Sequence, residues 1–216
     1  MYLPKHFEVT DPAALHELIR EHPLGALVMQ SERGLEANHV PFEFQPEPAP
    51  HGRLLAHVAR ANPVWRAATE EREVLVIFQG ASGYVTPAWY PSKQATGKVV
   101  PTYNYAVVHA YGRMRAIEDK AWLHAFVSRL TDRHEAERDD PWHVRDAPDD
   151  YIDKMLEAIV GIEITVTRLV GKWKVGQNRT PADQAGVIDG LKARAGADDA
   201  AMAQALERYG KPLRPG

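Results

Sequence analysis

Residues 161–169 read GIEITVTRL. Ile162, Ile164 and Val166 alternate with Glu163, Thr165 and Thr167, so an extended chain sets its apolar side chains on one face and its polar ones on the other. This is a strand with a single buried face, the pattern of an antiparallel sheet rather than of a sheet covered on both sides. Working outward, similar runs predict strands over about 24–30, 35–44, 53–59, 73–79 and 105–117. With few helices between most of them, about six such strands favour an antiparallel sheet or barrel. The expected fold class is mainly β with helical additions, an α+β protein.

Helices punctuate this framework. Asp11 can cap a first helix, Pro12 suits its first turn, Leu15, Leu18 and Ile19 form its apolar stripe, and Pro23 ends it. Leu123, Phe126, Val127 and Leu130 recur at helical spacing, as do Ile152, Met155, Leu156 and Ile159, so each segment is expected to lay one face on the sheet. Thr180, Pro181 and Asp183 form a capping-box-like start for a further helix. Gly196 is expected to break it, and Met202, Ala205, Leu206 and Tyr209 mark a last helix. The expected division is a main domain over residues 1–179 and a helical extension over 180–216.

Composition bounds the function. The 216 residues allow one sizeable core. A net charge of −3 gives no global attraction to nucleic acid, so DNA contact would require a local basic patch. There is no cysteine, which excludes disulfides and thiolate chemistry. No apolar run approaches the roughly 20 residues that span a bilayer, and the start, with Pro4, Lys5 and His6, does not read as a signal peptide. A soluble cytoplasmic protein without a membrane partner is the expectation.

The chemistry concentrates in YVTPAWYPSKQATGKVVPTYNY, residues 84–105. Prolines fix its path, and aromatic faces beside hydroxyls, an amide and ammonium groups suit a planar ligand with an anionic tail. An ordered surface loop is the alternative reading. Together with MYLPKHF at the start, NHVPF at 38–42, HVARANP at 57–63 and GKWKVGQNR at 171–179, the segment resembles the PaiB-type family of FMN-binding negative transcriptional regulators. The resemblance runs from Met1 to about Leu191. It implies a split β-barrel of the kind shared with pyridoxamine phosphate oxidases and flavin reductases, an FMN cofactor and a homodimer with flavin sites at the subunit interface. It also brings in DNA as a partner, for which the sequence offers weak support.

The motifs supply candidate FMN contacts. The resemblance implies a phosphate-binding region at the end of the strand carrying His57 and in the following turn, with Arg60 and Asn62; taken alone, Asn62-Pro63 is an ordinary turn. Ser92 and Lys93 follow Pro91, and Lys93 is the preferred second phosphate or ring-edge contact. Thr102 and Asn104 can offer a hydroxyl and an amide to the flavin edge, or can bond to neighbouring backbone. Asn38 is unusual within a strand, which suggests a specific hydrogen-bonding task, while His39 beside it faces away from Val40, Phe42 and Phe44. Gln177 either reaches the cofactor or holds the C-terminal helices. No metal motif, hydrolase triad or phosphate-binding glycine loop is present, and no axial-ligand pattern supports haem. The leading function is a flavin-linked regulator; the rival is an FMN-dependent oxidoreductase using a nicotinamide or small-molecule reductant.

Overall fold

A computed structural model describes residues 1–32, 34–67 and 73–210. Eight strands form an antiparallel-paired sheet: β1 (Glu8–Val9), β2 (Leu24–Ser31), β3 (Gly34–Pro41), β4 (Glu43–Gln45), β5 (Arg53–Ala59), β6 (Glu73–Val85), β7 (Thr102–Ile117) and β8 (Ile159–Lys174). Their order is β3-β2-β6-β7-β8-β5-β4, with β1 paired to β8. The α-helices among the described residues are α1 (Pro12–Glu21), α2 (Ser92–Thr96), α3 (Lys120–Glu135), α4 (Asp149–Glu157), α5 (Pro181–Arg194) and α6 (Asp199–Tyr209).

β5 occupies 53–59 as the sequence reading has it, and Ile162, Ile164 and Val166 are buried on β8; Glu163, expected on an open polar face, is buried as well, because Arg53 and Arg115 pair with it. Asp11 accepts from Ala13 N–H at 3.1 Å, and Thr180 accepts from Asp183 N–H at 3.2 Å, so both predicted caps form. The strand predicted over 73–79 continues to Val85. Its burial alternation changes phase between Gly80 and Ala81, as at a β-bulge, and that phase change hides the second half from a period-two reading.

The chain divides into two compact units. Unit 1 comprises 1–22, 78–109 and 170–216. In it α1 buries Ala14, Leu15, Leu18 and Ile19. A β-carbon at Gly171 would overlap Leu15, so glycine is what lets α1 approach β8 here. Unit 2 comprises 23–77 and 110–169. Its core includes Leu27, Phe44, Leu54, Val76, Met114, Phe126, Ile162 and Ile164. Trp122 of α3 stacks on Phe126 with centroids 5.2 Å apart, and it covers Gly161 of β8 where any β-carbon would collide with the indole.

Candidate functional site

Unit 2 gathers the first set of predicted residues. Asn38 of β3 accepts from the Asn62 amide at 3.0 Å, while Asn62 Oδ1 caps the next turn by accepting from Val64 N–H at 3.0 Å. The in-strand asparagine therefore does have a specific partner, 24 residues away. His39 is exposed on the opposite face of β3 from the buried Val40. His57 lies within β5 opposite Gly161, edge-on to the Phe126 ring at 5.8 Å, and burial lowers its pKa. Arg60 is heavily engaged: its guanidinium donates to Glu157 O at 2.7 Å and Ile159 O at 3.1 Å and pairs with Glu118 at 2.5 Å. In this arrangement Arg60 braces the start of β8 and its charge is already matched by Glu118.

Unit 1 gathers the second set. After β6, a tight turn at Pro87–Trp89 and the short α2 carry the aromatic and lysine cluster. Ala88, Trp89, Tyr90, Pro91, Lys93 and Gln94 line a cavity of about 450 Å³. Lys93 is exposed, and among the described residues no carboxylate lies within ion-pair distance of it. Ser92 points elsewhere: its N–H and hydroxyl both donate to Asp183 in the first turn of α5, at 3.1 and 2.9 Å. Burial pushes the Asp183 carboxyl up, but the Ser92 and Thr180 hydrogen bonds and the Arg179 charge outweigh it and hold the group below its ordinary value.

The cavity wall is seated on α5. A β-carbon at Gly190 would overlap the Trp89 ring, and one at Gly186 would overlap the Trp89 carbonyl. Arg194 lies over the Trp89 ring at 5.1 Å, donates to Tyr84 O at 3.0 Å and bonds Asp199 Oδ2 at 2.8 Å. Arg179 lies over the Tyr90 ring at 4.7 Å. Sequence reading gave no role to Asp183 beyond helix capping, nor any to Gly186, Gly190 and Arg194. The usable signal was a helix with two glycines four residues apart, which makes a flat seat for a large ring.

The remaining predicted residues also lie in unit 1. Thr102 accepts from Lys174 Nζ at 2.5 Å, and Asn104 is buried at 3% exposure. Gln177 is buried and holds its own turn, accepting from Val175 N–H at 2.9 Å and donating to Trp173 O at 2.6 Å. The structure thus joins Asn38 to Asn62, sets His57 and Arg60 nearby on the same strand and turn, and places Ser92 beside Lys93.

A family model described as a putative FMN-binding domain matches residues 1–168. The chain belongs to that family. Its cofactor is FMN, and the PaiB-type resemblance holds: Protease synthase and sporulation protein PAI 2 of Bacillus subtilis is 30% identical over 207 residues, covering 96% of this chain and 97% of that protein. An uncharacterized protein of Emericella nidulans is 35% identical over 227 residues, covering 89% and 90%. Among solved structures, the flavocytochrome Anf3 of Azotobacter vinelandii has a TM-score of 0.59 at 17% identity, covering 85% of this chain and 78% of that one. A putative 5-nitroimidazole antibiotic resistance protein of Bacteroides thetaiotaomicron has 0.55 at 13%, covering 76% and 85%. These two share the fold, an antiparallel split barrel that is not closed, with helices. Among the described residues no helix is long and apolar enough to cross a membrane, and no group of side chains could hold a metal ion.

Proposed function

We propose that the chain is a flavin-linked regulator whose C-terminal helices respond to the state of the flavin segment. The observation that carries this reading is the double hydrogen bond from Ser92 to Asp183, which ties the Trp89–Lys93 segment to α5. Helices α5 and α6 lie beyond the FMN-binding match, which ends at 168, yet the similarity to PAI 2 covers 96% of this chain. That protein's name links it to protease synthesis and sporulation, and a regulatory role here is consistent with it.

The residues present fit FMN. Lys93 is an ammonium whose charge no described carboxylate neutralises, at a cavity also lined by Trp89 and the buried Tyr90, whose rings Arg194 and Arg179 overlie. Within unit 2, taken by itself, the Asn38–Asn62 pair offers amide groups of its own. When bound, FMN supplies redox chemistry, and the protein's part is to hold and orient it. A homodimer is part of the proposal, with each subunit completing the other's site; sedimentation at twice the 24.1 kDa chain mass would support it, and a monomer that retains full FMN affinity would refute it.

Regulation is proposed to act through a partner or the flavin rather than by direct reading of DNA. The cations of the last helices are matched within the chain: Lys192 with Glu207 at 2.8 Å, Arg208 with Glu17 at 2.7 Å, and Arg194 with Asp199. Asp198 and Asp199 stand at the start of α6, where a recognition helix would meet phosphates. Binding to the protein's own promoter, measured across a salt series with oxidised and reduced FMN, tests this. Weak, salt-sensitive binding is expected, and sequence-specific affinity at about 10⁻⁸ M or tighter would overturn it.

An oxidoreductase is the second reading, favoured by a further aromatic cavity in unit 1 between β6 and β7 that can admit a small planar molecule. Reduction of bound flavin by NADH or NADPH at catalytic rates would support that reading over the regulator.

A further inference from the structure

The β6–β8 portion of unit 1 has two unlike faces. On one, Trp173, Gly80, Ala81 and Ala106 meet residues of α1 and α6. On the other, Gln79 and Ser82 of β6 and Tyr103, Tyr105, Val107 and His109 of β7 line a cavity of about 410 Å³. The β7 residues are spaced two apart, so their side chains share that face.

Two lysines of β8 contact tyrosines that line this cavity. Lys172 and Lys174 flank Trp173 on β8, and strand alternation sends both to the face opposite the indole. Lys172 is 7% exposed; its ammonium donates to Tyr2 O at 3.0 Å and lies 5.3 Å from the Tyr105 ring. Lys174 Nζ donates to Thr102 Oγ1 at 2.5 Å and Tyr103 O at 2.8 Å, which uses two of its three donors. Among the described residues, no carboxylate lies within 4.0 Å of Lys172, Lys174 or Arg179. Burial pushes the Lys174 ammonium below the ordinary lysine value; Lys172 and Arg179 push the same way, against the opposing effect of Tyr105.

Lys172 and Lys174 are partly buried like charges without a carboxylate partner, which is unfavourable, whereas the Arg179 charge is offset by Asp183. An anion placed at the remaining donor of Lys174 removes that penalty, and the cavity lined by Tyr103 and Tyr105 offers aromatic side chains to a flat ring. We propose that Lys174, flanked by Lys172 and Arg179, holds the phosphate or carboxylate of a planar small molecule whose ring lies against Tyr103 and Tyr105. The site is distinct from the one proposed at Lys93, and if it holds the phosphate of FMN itself it replaces that assignment. Two sources share the chemistry: the phosphate end of FMN itself, or a free aromatic anion bound beside the flavin.

Calorimetric titration of the full chain with phenyl phosphate, phenol and inorganic phosphate tests the site, with and without FMN loaded, in the wild type and in Lys174→Met. Phenyl phosphate is expected to bind more tightly than either fragment, and Lys174→Met to weaken it by about tenfold or more. If FMN blocks phenyl phosphate and Lys174→Met weakens FMN but not riboflavin, the anion is the flavin's own phosphate. If the FMN-loaded chain binds phenyl phosphate undiminished, a second molecule occupies the site. Both results support the proposal. Absent binding, or equal binding by wild type and Lys174→Met, overturns it. Should Lys174→Met not fold, Arg179→Gln on the loop after β8 must still weaken phenyl phosphate, and no change in that variant overturns the proposal as well. A chain without flavin absorbance would count against the flavin reading alone, because the phenyl phosphate result does not depend on it.

Discussion

Asp183 accepts both the N–H and the hydroxyl of Ser92, at 3.1 and 2.9 Å, across 91 residues of sequence. One carboxylate at the start of α5 thereby fixes the residue before Lys93. Asp183 is only 3% exposed, and its removal leaves the part-buried Ser92 donors without their partner. Asp183→Ala is expected to lower stability by about 1.5–3 kcal/mol, the range for hydrogen bonds to a charged group. The folded carboxyl is more acidic than the unfolded one, so this contribution is complete above the ordinary carboxylate value and is lost as pH falls through the lower folded value. Denaturant unfolding of wild type and variant, at neutral and acid pH, checks both parts. An unchanged midpoint at neutral pH would remove Asp183 from the account.

Gly190 is the seat of the Trp89 ring, and any β-carbon there overlaps the indole. Gly190→Ala forces Trp89 off α5 or strains the helix, which should cost about 1–3 kcal/mol. A thermal melt reads this directly; a variant as stable as wild type would mean that Trp89 does not rest on α5.

Legibility tracked the range of the interactions. The caps at Asp11 and Thr180 and the buried face of Ile162, Ile164 and Val166 depend on neighbours within a few residues, and each was readable in advance. Ser92 read as a cofactor ligand because its partner Asp183 lies far along the chain. Arg60 read as a candidate phosphate contact, and the Glu118 carboxylate and the Glu157 and Ile159 carbonyls that engage it come from distant elements that a local reading does not reach. The second half of β6 escaped because the phase change at Gly80–Ala81 breaks alternation before Val85. Lys172 and Lys174 were read only as part of a family motif, although two lysines flanking a buried tryptophan on a strand already place both charges on one face.

His57 carries a pH signature. Burial lowers its folded pKa, so the unfolded chain takes up the proton first. Its contribution is therefore constant above the ordinary histidine value of about 6.5, declines as pH falls from there to the lowered folded value, and is flat below. Melting temperatures of wild type and His57→Gln, compared from about pH 8 to about pH 5, should converge as the solution is acidified. Parallel curves would show that His57 titrates alike in both states.

Lys93 is proposed to hold the flavin phosphate. FMN is expected to bind more tightly than riboflavin, and Lys93→Ala to weaken FMN by about 1.5–3 kcal/mol with the melt unchanged. Equal affinities for FMN and riboflavin in the wild type would remove the phosphate site, whereas a loss of fold with normal binding per folded molecule would make Lys93 part of the scaffold.

The central claim is that the flavin segment and the C-terminal helices move together, and amide hydrogen exchange of the full chain tests it most directly. Exchange over residues 84–98 and 181–194 would be followed without flavin, with oxidised FMN and after reduction. The Ser92–Asp183 bonds and the Trp89 seat predict that FMN slows both segments together and that reduction shifts both again. Stoichiometric FMN binding with α5 exchanging identically in all three states would contradict the account.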